Sequence, residues 1–434
     1  MKEEWLQYLW KMQQFSKKGL KTTCGKKIKV VKVGKSHAHG GPDFLGGKVR
    51  IGEIDFCGDI EVHIKSSDWY AHKHHLDNRY NSVVLHVVWT HNKEVMTKKG
   101  TVIPTLALAP RTPKRLLDAY YRLMTKRSPI PCHHHFLAVK ERVRKSVLET
   151  KLLQRLDEKY LFLQKLFRAN NKDTHSTTYQ LLGYNFGFKS NSEAFLSLVQ
   201  KVPLPLVQRY RGNLIYLEAL LMGQAGLLPD QGEAVRYRES YEKELIHCYH
   251  KLKEKHPLEE PLPKVAWHFA RLRPANFPTI RMMQFARFIH LYHDIFSLLI
   301  NSTIHQLRSA LALQQSTYWQ KHYLLGKKSN HNIGGLGQHS IENIIINTVV
   351  PLLVMYGKVR KQPFFAQKAV NLLRSLPPED NSIVRAWQKI GFQPQNAFES
   401  QAVLALFKGS CKTKQCLQCD IGKCVIKAST RVHK

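Results

Sequence analysis

Between Gly41 and Lys65 the sequence reads GPDFLGGKVRIGEIDFCGDIEVHIK and holds the residue types needed to grip a hard metal ion. Asp43 sits at the entrance of an expected hairpin, and Glu61 lies eighteen positions later on its second strand. Strand side chains alternate, so Asp59, Glu61, His63 and Lys65 share one face while Ile60, Val62 and Ile64 share the other. Two carboxylates brought together at a strand end can hold Mg²⁺ or Mn²⁺, which prefer oxygen ligands. His63 or Lys65 beside them would orient an attacking water or meet the charge on a phosphate, so Asp43, Glu61, His63 and Lys65 suit metal-assisted phosphodiester cleavage. The simpler alternative is a half-buried strand whose polar face looks at water.

Three further groups stand out. In SSDWYAHKHHLDNRY (66–80), a helix would put Asp68, His72 and His75 on one face, a set that suits Zn²⁺ or Mn²⁺ and a small-substrate hydrolase. Near the C-terminus, Cys411, Cys416, Cys419 and Cys424 fall within fourteen residues, enough thiolates for one Zn²⁺ or one iron–sulfur cluster. Lys412, Lys414, Lys423 and Lys427 would lower their pKa values and offset their charge. In WHFARLRPANFPTIRMMQFARFIH (267–290), Arg271, Arg273, Arg281 and Arg287 interleave with aromatics, a pattern that suits nucleic-acid phosphates and unstacked bases, or equally a helix core with solvated arginines. Gly183-Tyr184-Asn185-Phe186-Gly187-Phe188 has neither the preceding strand nor the lysine of a phosphate loop.

The elements that must position these groups divide the chain in three. Residues 1–112 read as a helix over 3–15, strands at 27–33 and along the two halves of the hairpin, a helix beginning near Trp69, and strands at 81–90 and 102–108. Residues 113–408 read as a mainly helical domain, with helical periodicity over 114–126, 137–168, 191–200, 204–226, 238–254, 264–272, 279–299, 302–325, 340–356, 364–375, 381–390 and 397–408. Residues 409–434 are a basic, Cys-rich tail. The fold class is therefore α+β.

Composition narrows the function. Of 434 residues, 67 are Lys or Arg and 32 Asp or Glu, a net charge of +35. The excess is spread along the chain, so a polyanion-binding surface must be assembled by folding, and nucleic acid is the expected partner. No run of about 18 apolar residues offers a membrane span, and the start MKEEWLQYLWKMQQF lacks the form of a secretory signal, so a cytoplasmic location without a membrane partner is expected.

Pro42-Asp43 and Glu61-Val62-His63 resemble the two motifs of the PD-(D/E)XK nuclease superfamily, with His63 where lysine is usual. The element order resembles its α-β-β-β-α-β core, so the resemblance implies a metal-dependent nuclease, or an inactive relative, acting on DNA or RNA. A non-catalytic nucleic-acid-binding protein is the alternative. Over nearly the full length, the segments GPDF, GDIEVHIKSSDWYAHKHHLDNRYNSVVLHVVW, NFGFKSNSEAF, RLRPANFPTIRMMQFA and KQCLQCDIG also resemble a bacterial domain-of-unknown-function family, number 2851. That resemblance implies no established activity and makes Gly41 to Trp89 the expected centre of function.

Overall fold

Structure is described here for residues 1–37, 40–125, 128–229 and 239–429 of a computed structural model. The protein is α+β and forms two compact units, one of Met1–Val147 with Leu406–Lys434 and one of Leu148–Ala405. Segment 113–147 and the Cys-rich tail thus both belong to the first unit.

The first unit opens with α1 (Glu3–Met12), which has Glu3 and Glu4 in its first turn, where carboxylates complement the helix dipole. It ends where Gln13 turns left-handed at φ 52°. Trp5, Leu6, Tyr8, Leu9 and Trp10 are buried along its inner side, and Trp5 stacks on Tyr120 at 4.5 Å between ring centres.

The strands are β1 (Ile28–Lys32), β2 (Lys35–Ser36), β3 (Phe44–Ile51), β4 (Ile54–Lys65), β5 (Val83–Thr90) and β6 (Thr105–Ala107). They form a mixed sheet in the order β1-β3-β4-β5-β6, with β2 beside β3. The β1/β3 and β3/β4 pairs are antiparallel, while β4/β5 and β5/β6 are parallel. Between β4 and β5 runs a short crossover containing α2 (Asp68–Ala71). The β3/β4 ladder slips between Phe44 and Gly47, and Gly46 takes φ 63° there, a conformation glycine adopts without a side-chain clash. A Cβ at Gly58 would stand 2.4 Å from the Ser82 carbonyl oxygen, so this crossing of β4 and β5 requires glycine.

Alternation predicts a wet polar face on β4, and here the structure differs. Glu61 and His63 are 5 % and 1 % exposed, as buried as Ile60 and Val62. The crossover covers them. Its Trp69 indole donates to the Met96 carbonyl (3.0 Å), Tyr70 Oη donates to the Glu94 carbonyl (3.0 Å), and Ser66 Oγ accepts from the Asn92 and Lys93 amides.

After α3 (Lys114–Thr125), the tail completes the unit. Its helix Asp420–Ala428 packs on α3, and Lys414 Nζ donates to the Met124 carbonyl at 2.6 Å.

The second unit is mainly helical, with a small hairpin pairing His322–Leu324 with Lys327–Lys328. Periodicity misses the helix Thr174–Phe186, although Asp173 caps it by accepting from the His175 and Ser176 amides. Gly183 lies inside that helix because Val199 presses against it, where a Cβ would be 2.5 Å from Cγ1. Expected helix 264–272 reduces to one 3-10 turn at Lys264–Ala266, and 302–325 breaks into Ile304–Leu311, Thr317–Lys321 and the strand at His322. Gln338–Arg360 is long and apolar enough to cross a membrane, yet 78 % of its apolar window is buried inside the protein, as in a core helix.

Candidate metal centre

Two groups that the sequence presents separately converge here. Asp43 and Glu61 clamp the start of β3 to β4 reciprocally. The Asp43 amide donates to Glu61 Oε2 (3.0 Å), and Asp43 Oδ2 accepts from the Val62 amide (3.1 Å). Asp43 Oδ1 accepts from Gln7 Nε2 of α1 at 2.8 Å. The other oxygen of Glu61, Oε1, lies 3.5 Å from His63 Nε2 and 3.4 Å from His74 Nε2. His63 Nε2 in turn lies 3.1 Å from His72 Nδ1.

Backbone handedness selects the histidines. The helix that would align Asp68, His72 and His75 ends at Ala71, and Lys73 takes φ 60°. His74 therefore swings inward and stacks on Tyr80 at 3.8 Å between ring centres, while His75 packs on Tyr70 instead. Asp68 accepts from the Lys65 amide at the end of β4. His72 is thus the member of the expected Asp68/His72/His75 set that meets His63, and its companion is His74. Lys65 is exposed at the strand end.

Glu3 at the start of α1, which pattern reading misses, belongs to the same neighbourhood. Its charge acts on both Asp43 and Glu61, and its own carboxyl is raised by burial. A carboxylate in the first turn ordinarily serves the helix dipole, so nothing in its spacing marks it.

Electrostatically, the described side chains give Glu61 no fixed positive charge. Burial, followed by the charge of Glu61, pushes the Asp43 carboxyl well above the usual range, and burial does the same to Glu61. Burial also pushes His63 far down, with His86, His74 and His72 adding to the effect, so His63 is neutral. Among the described residues, the ion-pair contacts of Glu61 are both with histidines.

The donor set fits a divalent ion. Ligands held about 2.0–2.2 Å from one ion stand about 3.0–3.6 Å from each other. The contacts among Glu61, His63, His72 and His74 are 3.1, 3.4 and 3.5 Å. The three imidazoles place their nitrogens within 4.8 Å of one another. His63 Nδ1 faces His86 Nε2 at 2.8 Å, the buried outer partner that a ligating histidine needs to orient its ring. Imidazoles added to carboxylates favour Mn²⁺ or Zn²⁺ over Mg²⁺.

The remaining candidates lie elsewhere. Arg281 is buried, bonded to Gln284, Asn276 and Ser340 and stacked over Phe188, so its guanidinium is engaged inside the second unit. Arg271 and Arg273 are exposed and Arg287 is half-buried. Cys424 points into a cavity beside Tyr8 and Met12, away from Cys411, Cys416 and Cys419.

Fold and site together define an α+β protein with a buried carboxylate–histidine centre on a mixed sheet. The chain belongs to the family described as protein of unknown function (DUF2851), whose model matches residues 3–382. The carboxylate–histidine cluster lies within that match and the tail cysteines beyond it. No curated protein and no solved structure matches the chain.

Proposed function

We propose that this protein is a divalent-metal-dependent phosphodiesterase acting on DNA or RNA. The observation that carries the reading is the grouping of His63, His72 and His74 within 4.8 Å of one another, with Glu61 Oε1 3.5 and 3.4 Å from His63 and His74 and without a lysine or arginine paired to Glu61 among the described residues. The resemblance of Pro42-Asp43 and Glu61-Val62-His63 to the PD-(D/E)XK motifs supports the same chemistry, and the charge of +35 supports a polyanionic substrate.

A bound ion would supply Lewis-acid polarisation of a phosphoryl oxygen. Asp43 and Glu61 would hold it through oxygen, and His63, His72 and His74 through nitrogen. His86 keeps the His63 ring in place, while Trp69 and Tyr80 exclude water from the inner side. His72 is exposed, which leaves one side open for a strand. Neutral His63 cannot supply the constant positive charge of a lysine, so no side chain here takes over that role.

The test is purified protein with Mn²⁺, Zn²⁺ or Mg²⁺ against labelled single- and double-stranded DNA and RNA. Cleavage that needs the metal and is strongest with Mn²⁺ or Zn²⁺ is expected; four intact substrates with all three ions would overturn the reading. Binding measured at about 50 and about 200 mM salt should weaken about 10³-fold, because displaced counter-ions drive such association. A flat salt response would argue against a nucleic-acid substrate.

A further inference from the structure

Cys411 closes a π-turn at Phe407–Cys411, Lys414 turns the chain left-handed at φ 54°, and Cys419 is the N-cap of the helix Asp420–Ala428. A Cβ at Gly422 would lie 2.2 Å from the Cys416 carbonyl oxygen, so the first turn of that helix rests directly on the Cys416 backbone. These turns bring Cys411, Cys416 and Cys419 into the wall of one small cavity. Cys424, five residues into the helix, faces a different cavity. The fourth thiol in the small cavity comes from far away in sequence: Cys132, which follows Pro131 in the segment after α3.

We propose that Cys132, Cys411, Cys416 and Cys419 form a thiolate metal centre that takes a zinc ion or an iron–sulfur cluster. Four cysteines lining one small cavity match in number the four-thiolate set that both groups use. None of the four is in a disulfide. The free space is about 10 Å³, room for one water-sized sphere, and its other walls are Pro131, Leu406, Ser410, Ile421 and Gly422. The charges of Cys416 and Cys419 both act on the Cys132 thiol and that of Cys419 acts on Cys416, which puts these three sulfurs in one neighbourhood. Lys414, anchored on the Met124 carbonyl, already places one positive charge near Cys416. The centre would fasten the returning tail to the first unit, and it does not depend on the phosphodiesterase reading.

The experiment is elemental analysis and absorption spectroscopy of full-length protein purified anaerobically, as wild type, Cys132→Ser, Cys416→Ser and Cys424→Ser. Zinc without colour identifies the ion; iron with a brown absorbance identifies the cluster. Cys132→Ser and Cys416→Ser should each lose about one equivalent of that metal, while Cys424→Ser keeps it. Loss in Cys424→Ser with retention in Cys132→Ser would overturn the ligand set, and wild type with neither metal would overturn the centre. Should the serine variants fail to fold, thiol labelling of native wild type decides. The four cysteines should become reactive when a chelator strips zinc or an oxidant destroys the cluster, and reactivity unchanged by either treatment would overturn the proposal.

Discussion

Glu61→Gln is expected to lower metal-dependent phosphodiester cleavage by about 10²–10³-fold while leaving the domain folded. That factor is typical for losing one group that stabilises developing charge, and it corresponds to about 3–4 kcal/mol of barrier. Glutamine keeps an oxygen to accept from the Asp43 amide, so the clamp between β3 and β4 survives. It removes the negative charge that an ion beside His63 and His74 needs. Asp43→Asn should act in the same direction, since its oxygen can still accept from the Val62 amide. Single-turnover rates measured beside a thermal melt check both, and wild-type rates in the double variant would sink the assignment. The same carboxyls predict how stability responds to pH. Both are raised on folding, so without metal the folded state holds more protons than the unfolded one. Stability is then fully present below the ordinary carboxyl range of about 4 and is lost as pH rises toward the raised folded values. Mn²⁺ replaces those protons, so the rise in Tm that it produces should grow with pH. A rise that shrinks between about pH 6 and about pH 8 would contradict the site.

Trp69→Ala is expected to destabilise the first unit by about 3–5 kcal/mol and to abolish metal binding at the histidines. Trp69 is fully buried and sits edge-on to Tyr80 and His74, at 5.7 and 5.4 Å between ring centres. It packs in one cluster with Val83, Val95 and Ile103, so alanine would leave a cavity directly beneath the site. The indole bond to the Met96 carbonyl would be lost as well. Trp69→Phe separates the two effects, because it retains most of the packing and removes that bond; it should cost less than half as much. Denaturant titration at constant m-value reads both variants, and a loss below about 1 kcal/mol for alanine would mean that the crossover is held by other contacts.

Most of the framework around the site was legible because it rests on local rules. The alternation of β4, the β-branched run of β5 and the apolar stripe of α1 each follow from a period of two or of about 3.6 residues. What covers a strand face is not a local property. Alternation placed Glu61 and His63 side by side, but their burial depends on a crossover pinned to residues 92–96 by Ser66, Trp69 and Tyr70. Arg281 shows the same gap in the second unit. An arginine among aromatics reads as a phosphate ligand until Asn276, Gln284 and Ser340 surround its guanidinium.

By itself, the sequence determined the fold class and most of the order of elements along the first unit's chain, and it singled out Asp43 and Glu61, because short-range periodicity and turn residues act within a few positions. Tertiary structure decided which partners joined them. A single left-handed residue, Lys73, chose His74 over His75, and the first turn of α1 brought Glu3 beside the carboxylates. The return of the tail set Cys132 beside Cys411, Cys416 and Cys419 and turned Cys424 away. Spacing along a chain constrains groups on one element. It says nothing about groups that meet only because separate elements bury their apolar faces against each other.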